Sequence, residues 1–532
     1  MRASMTTRAA PLASRARFFA RARPARVAAE RAVSASAAGA ADAGTTSEAI
    51  RARAERGALA GARPFPLLRD PASYSHVSPG VCDACANAAA ARRAWVALLV
   101  GQLPSHRANA ARTKAHLGLR GAEAEAFDAS YLRWEADYEA YLDSVSRDED
   151  EDVARDAGAT LLDMVDEKER LLRARGLDDL FAGMKAQENA VAAALFPALA
   201  RELDAVWSSA NARGSVDPLD GENPRASAAS RRRSEDDAAR RVAAARTALE
   251  CCLAGNLFDA GAAAAVQGVA DAAAVSDDAS CGSNLDAALL AETFAEARRR
   301  VARDKNANGD AETSSWRFDS FDAVAARART KPWRRAILFC DNAGADVMGM
   351  ALLARTLVEL GGGDTKVALA ANEWAALNDV TASETRAFLE TVSSRDACGG
   401  DGGDETRGSA EPLFPDASGD ETLRRQLERG DVTAVSSGQM STLLDLNRCG
   451  PELNDWVEAE LREVPAGEEW LVVLDGMGRS LESNWDVAKR VAPGVNTLNL
   501  AMVKSQINAE RLGAEVYDCV VRLGEGCEQA GG

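Results

Sequence analysis

The stretch ILFCDNAGADVMGMALLARTLVELGGGDTKVALAANE, residues 337–373, decides the fold class. Its apolar runs and turn residues predict the order strand, turn, helix, turn, strand, which is one unit of a parallel sheet. Many such units bind dinucleotides through a glycine-rich turn between strand and helix, but here the glycines at 361–363 follow the helix. Asp341 and Asn342 stand at the first strand end instead. A dinucleotide-binding oxidoreductase is therefore the weaker interpretation.

The same alternation continues toward the C-terminus. Short apolar runs occur in VTAV (432–435), WLVVL (470–474), NLAMV (499–503) and CVVRL (519–523), with helical patterns between several of them. Short apolar strands separated by helices predict an α/β fold with a largely parallel sheet and helices on both faces. We assign residues 331–525 to this domain and expect a polar inserted loop at about 394–421.

The preceding part of the chain has a helical pattern. Tyr131, Trp134, Tyr138 and Tyr141 are spaced by three or four residues, which predicts one core-facing stripe on a helix. We therefore expect a helical domain over residues 64–330. Two polar stretches within it, at about 213–241 and 275–313, are rich in Gly, Ser, Asp or Arg and are predicted to be disordered insertions.

The N-terminus differs in charge from the rest of the chain. Residues 1–29 contain seven arginines and no acidic residue, whereas the whole chain has a net charge of −18. This composition is typical of an organellar transit peptide, for a plastid or mitochondrion, with a linker up to residue 60. The alternative is a disordered Ala/Arg-rich tail on a cytoplasmic protein.

The overall composition restricts the partners. An acidic chain is a poor match for nucleic acid, which proteins bind mainly through Lys and Arg. No apolar run approaches the roughly 20 residues of a membrane span, so we expect no membrane partner either. The only histidines are His76, His106 and His116, so chemistry in the C-terminal half is expected to use carboxylates, amides and a metal ion. The oligomeric state is not predicted.

Polar side chains follow five of the predicted strands. Because carboxyl ends of parallel strands meet at one edge of a sheet, these groups are expected to form one site. Carboxylate and amide oxygens suit a divalent cation, and glycine-containing turns such as DNAGAD and SSGQM can present N–H groups to phosphate. The strand-end residues are Asp341, Asn342, Asn372, Asn378, Asp379, Ser437, Gly438, Asp475, Gly476, Met477, Gly478, Arg479 and Lys504.

At these residues the chain resembles a known family. FCDNAGAD, AANEWAALNDVT, DGMGR and NLAMVKSQINAERLGAEVYDCV occur in the order found in the metal-dependent damage-control phosphatases, formerly a domain of unknown function. The resemblance is to the branch of 4′-phosphopantetheine phosphatases, which includes plant stand-alone members and the C-terminal domain of animal pantothenate-kinase-like proteins. That branch carries Glu-Gly-Met-Gly-Arg, whereas this chain has Asp475 in the first position.

The resemblance implies a helical N-terminal domain packed on a three-layer α/β/α sandwich, with the site between them. It implies that Asp341, Asn342 and Asp379 hold a divalent metal ion (Mn²⁺, Co²⁺ or Ni²⁺, with Mg²⁺ as the alternative). It also implies that Lys504 faces the phosphate. Four residues are expected to reach the site from the helical side, although helix capping is the alternative role for them: Glu188, Asn189, Asn256 and Asp259.

The implied activity is release of phosphate from a small phosphomonoester. By resemblance the substrate is 4′-phosphopantetheine or its oxidised and damaged forms, which would connect the protein with coenzyme A metabolism and metabolite damage control. A sugar phosphate and a non-catalytic sensor of coenzyme A precursors are the alternatives. An aspartyl-phosphate mechanism at Asp341 is disfavoured because Ala343 and Ala345 replace the Asp and Thr of Asp-x-Asp-x-Thr. The carboxylate that orients the water, Asp379 or Asp475, stays open.

Overall fold

The computed structural model describes residues 61–75, 78, 81, 88–147, 159–208, 224–258, 287–303, 316–394 and 419–526. The predicted transit peptide and linker, residues 1–60, lie outside the described residues, as does Asp259. Among the described residues, no helix combines the length and the apolar character that crossing a membrane requires.

Among the described residues, seven helices come first. They are α1 (Ala88–Gly101), α2 (Leu103–His116), α3 (Ala122–Arg147), α4 (Leu161–Ala174), α5 (Ala182–Ser208), α6 (Pro224–Phe258) and α7 (Ala287–Val301). Strands and helices then alternate. These elements are β1 (Trp316–Asp319), α8 (Phe321–Thr330), β2 (Arg335–Phe339), α9 (Ala345–Leu360), β3 (Lys366–Ala371), α10 (Ala382–Ser393), α11 (Glu421–Arg429), β4 (Val432–Ser436), α12 (Pro451–Glu463), β5 (Trp470–Asp475), β6 (Asn496–Met502), α13 (Gln506–Leu512) and β7 (Cys519–Glu525).

The seven strands form one sheet in the order β1-β7-β6-β5-β2-β3-β4. All neighbouring pairs are parallel except β6 and β7. The chain builds β2, β3 and β4 outward on one side and then returns to add β5 and β6 on the other. The switch point of the sheet therefore lies between the carboxyl ends of β2 and β5, where open α/β sheets bind their ligands.

Both faces of the sheet are covered, which confirms the predicted three-layer α/β fold. Side chains alternate along β2: Ala336 and Leu338 pack with α9 and α6 on one face, and Ile337 and Phe339 pack against the other layer. That other layer contains α12 and the N-terminal segment around Phe65. Because both faces are buried, β2 and β5 are apolar on both faces apart from Arg335 and Asp475 at their ends.

Helices α1–α4 have a core of their own. Tyr131, Trp134 and Tyr138 of α3 are almost completely buried in it, and Tyr141 is partly buried against it, so the predicted aromatic stripe is confirmed as a packing feature. The Trp134 indole N–H donates to the Lys168 carbonyl, and the Tyr138 hydroxyl donates to the Met164 carbonyl. These bonds satisfy the polar ends of the buried rings and fix α3 against α4.

The predicted disorder of the two insertions is wrong in part. Residues 224–241 belong to α6, and residues 287–301 form α7 within the second range. The first segment is polar but rich in Ala and Arg, which are strong helix formers, and it extends a helix whose C-terminal half is buried. Residues 213–223, 275–286, 304–313 and the predicted loop at 395–418 lie outside the described residues.

The predicted boundary at residue 331 also differs from the structure. Strand β1 pairs with β7, so the sheet includes Trp316–Asp319. Phe65 at the N-terminal side packs on Phe339 of β2, with ring centroids 5.7 Å apart. A four-residue strand and a short extended segment carry too little periodicity to be identified from sequence.

Candidate active site

The first site loop follows β2. Asp341 and Asn342 lie after the strand, and α9 begins at Ala345 after Gly344, which has a φ of 73°. The Asn342 side-chain amide donates to Asp341 Oδ2 at 2.9 Å and to Asp346 Oδ2 at 3.0 Å. The predicted strand–turn–helix therefore places three polar side chains at the N-terminus of a buried helix.

The second site loop follows β3 and carries Asp379. Its backbone is held against the first loop: the Val380 N–H donates to the Asp341 carbonyl at 2.9 Å, and the Ala343 N–H donates to the Asn378 carbonyl at 3.0 Å. Asn342 and Asp379 form an isolated antiparallel bridge. This pairing brings the three predicted metal ligands, which are separated by up to 38 positions in the sequence, into one cluster.

Arg479 joins the two carboxylates of this cluster. It lies in a short π-helical turn, Met477–Glu482, directly after β5. Its guanidinium contacts Asp341 Oδ1 and donates to Asp379 Oδ2 at 2.7 Å and to Asn372 Oδ1 at 3.1 Å. The predicted strand-end arginine, which follows β5, is thus buried between groups that follow β2 and β3.

A second layer of acidic side chains lies behind the cluster. The Asn256 amide nitrogen, from α6, donates to Asp346 Oδ1 at 2.6 Å and to Asp475 Oδ1 at 2.9 Å. Asp475 Oδ2 and Asn256 Oδ1 are buried without a hydrogen-bond partner among the described residues. The sequence predicted that Asn256 reaches the site, and the structure places it in this supporting layer.

Glycine is required at position 476 because the Asp341 side chain lies directly against its backbone. Gly476 has a φ of 79°, and a Cβ built there would lie 2.0 Å from Asp341 Oδ2. A Cβ on Gly478 would lie 2.5 Å from the Thr442 carbonyl oxygen. Met477, between them, packs against a small apolar cluster that includes Leu481 and Val503. The glycines of DGMGR therefore admit the first site loop and a neighbouring backbone, and Met477 supports the turn from outside.

Burial dominates the electrostatics of the site. Asp341, Asp346, Asp379 and Asp475 are all at most 8% exposed. Burial raises the pKa of Asp379 to about 8; the Arg479 charge opposes this shift and the Asp341 charge adds to it. Burial and the neighbouring carboxylates also raise the pKa of Asp475 well above its usual value. Four buried carboxyl groups around one guanidinium form a region that favours additional positive charge.

The residues present fit a divalent cation. Among the described residues no group of three or more His, Cys, Asp or Glu side chains is arranged to hold a metal. The cluster here has two carboxylates and an amide, which is the oxygen donor set that Mg²⁺, Mn²⁺ and related ions accept. Because the Asn342 amide nitrogen is the donor to the neighbouring carboxylates, a cation would take its Oδ1.

Helix α5 reaches both site loops. Asn189 Oδ1 accepts the Gly344 N–H at 2.7 Å, and Glu188 packs on the same glycine. Lys185 is fully buried and lies 2.7 Å from Asp179 Oδ2, 3.0 Å from Glu384 Oε2 and 3.4 Å from the Asp379 carbonyl oxygen. Lys185, Glu188 and Asn189 are one helix face in the sequence, so the spacing could have identified Lys185 as well.

Lys504 is half-buried in the segment after β6. Its charge acts on Glu482, the last residue of the π-helical turn, and so does the charge of Asp341. Burial raises the pKa of Glu482 to about 7, while the Asn508 hydrogen bond and the Arg511 charge oppose this shift. Glu482 was not predicted from the sequence, because nothing marks it apart from its position three residues after Arg479.

The SSGQM turn differs from the prediction. It does not lead directly into a helix, and the N–H groups of residues 436–439 are bonded within the protein. The Ser437 N–H donates to the Ala371 carbonyl, the Gly438 N–H to Ser436 Oγ and the Gln439 N–H to Ser437 Oγ. Short polar side chains next to the turn satisfy these donors, so the turn is not shaped to receive a phosphate.

Asp346 is a further supporting residue that was not predicted from the sequence. It occupies the first turn of α9, where an acidic residue ordinarily indicates helix capping. Its carboxylate instead accepts from Asn342 and Asn256, which belong to different parts of the chain. Such a pairing depends on tertiary contacts and leaves no local signal.

Comparison with known proteins identifies the family. A family model described as the damage-control phosphatase ARMT1-like domain matches residues 109–520, and the chain therefore belongs to this family. Relatives include pantothenate kinase 2 of Oryza sativa subsp. japonica, which is 27% identical over 473 residues, covering 86% of this chain and 41% of that protein. The chain thus spans less than half the length of that relative.

Two further relatives have names that describe phosphatases. Damage-control phosphatase At2g17340 of Arabidopsis thaliana is 26% identical over 360 residues, covering 67% of this chain and 70% of that protein. The 4′-phosphopantetheine phosphatase of Mus musculus is 24% identical over 405 residues, covering 68% of this chain and 38% of that protein. The chain is similar to both over most of its length, and this confirms the family resemblance seen in the motifs.

Proposed function

We propose that the protein is a metal-dependent phosphatase of a small phosphomonoester, with 4′-phosphopantetheine or its oxidised or damaged forms as substrate. The observation that carries the proposal is the convergence of Asp341, Asn342 and Asp379 at the switch point of the sheet. The names of the relatives support the substrate class. The chemistry of the donor set supports the metal dependence.

The mechanism assigns a role to each group of the cluster. Asp341, Asn342 and Asp379 would hold the divalent cation, which when bound supplies Lewis-acid polarisation of a phosphoryl oxygen. Arg479 fixes the two carboxylates relative to each other and brings positive charge next to the reacting phosphate. Lys504 provides a second positive charge at the same edge of the sheet.

Asp379 is the better of the two carboxyl groups considered for orienting the attacking water. Asp475 has no solvent exposure, and its Oδ1 accepts from Asn256 behind the cluster. It is therefore a supporting group that holds α6 against the site. At position 475 this chain has Asp where the related motif has Glu. The shorter side chain is buried and bonds Asn256, so the difference affects packing behind the site.

The test is phosphate release from 4′-phosphopantetheine, its sulfonate form and fructose 1-phosphate by the full chain. Each substrate is offered with Mn²⁺, Co²⁺, Ni²⁺ or Mg²⁺, and with a chelator. The proposal expects metal-dependent release, with at least a tenfold higher kcat/KM for a pantetheine ester than for the sugar phosphate. A reversed preference would indicate a sugar-phosphate phosphatase. Tight binding of the pantetheine ester without release would indicate a sensor.

A further inference from the structure

A cavity with mixed apolar and charged walls lies beside the candidate site; its apolar lining includes Tyr141, Leu162 and Met440. It has a volume of about 310 Å³ and separates α4 from the segment 438–448 that follows β4. One wall is formed by five polar side chains of α4: Asp163, Asp166, Glu167, Arg170 and Arg173. The cavity is large enough for a substantial part of an organic ligand.

The walls of the cavity are shared with the loop that carries Asp379. The Ser441 carbonyl, in the cavity wall, accepts from the Asn372 amide at 3.1 Å, and the same amide donates to Asp379 Oδ2 at 3.1 Å. On the other wall, Arg173 Nη1 lies 3.4 Å from the carbonyl oxygen of Ala375. A phosphate ester at the carboxylates therefore has this cavity as a neighbour for its organic part.

Most charges around the cavity are already paired. Arg170 binds Glu167 with an Nε to Oε2 distance of 2.6 Å, and Asp163 accepts the Thr160 N–H at the start of α4. Arg448 bridges Asp166 and Asp445 at 3.3 and 3.6 Å. These pairs leave no strongly positive surface for an anion.

Arg173 makes no such short pair among the described residues, although the charges of Glu169, Asp166 and Asp178 act on it. It is only 4% exposed, and its Nε is buried without a hydrogen-bond partner among the described residues. Its hydrogen bond to the 375 carbonyl is long. Arg173 is part of the cavity lining, so the guanidinium N–H groups at the cavity wall can donate to an oxygen acceptor on a ligand.

Resting on the function proposed above, we propose that this cavity holds the uncharged polar arm of the phosphate ester and that Arg173 donates to a carbonyl or hydroxyl oxygen of that arm. The lining contains four carboxylates and three guanidinium groups. A second phosphate group in the cavity would meet this excess of negative charge, so the structure favours monophosphates with a neutral, amide-bearing arm over bisphosphates.

The experiment compares the wild-type full chain with Arg173→Met. The control is Arg175→Met, which makes the same change two residues along at a side chain paired with Asp137, outside the cavity lining. Binding of pantetheine, the arm without its phosphate, is measured by calorimetry. We expect Arg173→Met to weaken this binding by about tenfold and Arg175→Met to leave it unchanged. The ratio of kcat/KM for 4′-phosphopantetheine to that for p-nitrophenyl phosphate should fall by a similar factor.

Two results would overturn the proposal: equal pantetheine binding by wild type and Arg173→Met, or an equal loss of activity on both esters. If Arg173→Met does not fold, two measurements on the wild type decide. Pantetheine should inhibit hydrolysis of p-nitrophenyl phosphate competitively. Fructose 1,6-bisphosphate should be hydrolysed at least tenfold more slowly than fructose 1-phosphate. If no ester is hydrolysed, the proposed phosphatase activity is wrong. Loss of pantetheine binding in Arg173→Met would then still show that the cavity binds the pantetheine arm.

Discussion

Gly476 and Arg479 determine how the acidic side chains of the site are spaced. Arg479 contacts both Asp341 and Asp379, and Gly476 lets the first site loop approach β5 without a side chain between them. Arg479 thus supplies the opposite charge, and Gly476 leaves the space that a side chain would fill. Both belong to DGMGR, so the motif acts through the position of Asp341 as well as through its own polar groups.

Gly476→Ala tests this spacing. We expect a loss of at least a hundredfold in phosphate release, because the new Cβ would displace the Asp341 carboxylate. Gly513→Ala is the matched control: Gly513 also has a positive φ, of 61°, but a Cβ there meets nothing within 4 Å. Gly513→Ala should lose about 1 kcal/mol in urea unfolding from backbone strain, and Gly476→Ala should lose more, because its φ of 79° and ψ of 168° belong to a region essentially restricted to glycine. Equal activity in the two variants would contradict the role of Gly476.

Site residues can be predicted from the sequence where polar side chains directly follow predicted strands. Asp341, Asn342 and Asp379 could be predicted to meet because each follows an apolar run, and carboxyl ends of parallel strands share one edge. Lys185 follows no strand and could be found only from its helical spacing with Glu188 and Asn189. Asp346 could not be assigned from sequence, because its partners are set by how α6 and α9 pack. The SSGQM turn was misjudged because its own Ser side chains satisfy its N–H groups.

Helix α5 is the element that fixes the site loops from the helical side. Lys185 contacts the Asp379 backbone and Glu384, whose carboxylate in turn caps α10 by accepting the Thr381 N–H at 2.9 Å. Asn189 fixes the other loop through Gly344. The two loops are therefore held at a constant separation by one rigid helix.

Lys185→Met should weaken this arrangement. We expect phosphate release to fall by at least tenfold and the apparent affinity for Mn²⁺ to fall with it, because the Asp379 loop loses a buried contact. Adding Glu384→Gln restores the charge balance without restoring the contact, so the Mn²⁺ affinity should stay low in the double variant. Lys114→Met, at a surface pair with Asp128, is the control. Recovery of Mn²⁺ affinity in the double variant would show that charge alone matters.

Helix α9 contains a largely buried carboxyl group, Glu359, that does not belong to the site. Burial raises the pKa of Glu359 to about 7; Arg355 opposes the shift, and Asp204 and Asp420 add to it. Because the folded pKa exceeds the unfolded one, this group favours folding below about pH 4.5 and loses that contribution as the pH rises to about 7.

Glu359→Gln should therefore flatten the dependence of stability on pH. We expect the decrease in the free energy of unfolding between pH 5 and pH 8 to be smaller in the variant by about 1–3 kcal/mol. Urea unfolding at four pH values in this range measures it. Glu390→Gln, at an exposed position on α10, is the control and should follow the wild-type profile. An unchanged slope in Glu359→Gln would exclude this residue as the source.

At the scale of the whole molecule, the helical part and the sheet are not independent. Helices α5 and α6 contribute to the same core as α9 and β2, and the N-terminal segment completes the opposite layer. The alternation of strands and helices made the α/β class predictable. The extent of the shared core was not predictable, because it depends on α6 and on the segment 63–74. No local sequence pattern indicates that these two parts are buried.

Phe65→Ala tests whether the N-terminal segment is part of the sheet's core. Phe65 is 1% exposed, and its N–H donates to the Leu446 carbonyl at 2.8 Å. We expect a loss of about 3–5 kcal/mol in the free energy of unfolding, from the buried ring and the cavity it leaves. Leu117→Ala, at a side chain that is 55% exposed, should change stability by no more than about 0.5 kcal/mol. A similarly small loss in Phe65→Ala would place the segment outside the core.

The most direct measurement of the central claim is phosphate release from 4′-phosphopantetheine as a function of Mn²⁺ concentration. The proteins compared are the wild type, Asp341→Ala and Asp364→Ala, the last being an exposed aspartate that precedes β3 at the opposite edge of the sheet. The account predicts release that saturates with Mn²⁺ in the wild type and in Asp364→Ala, and that falls by at least a thousandfold in Asp341→Ala. Release that is independent of the metal, or undiminished in Asp341→Ala, would contradict it.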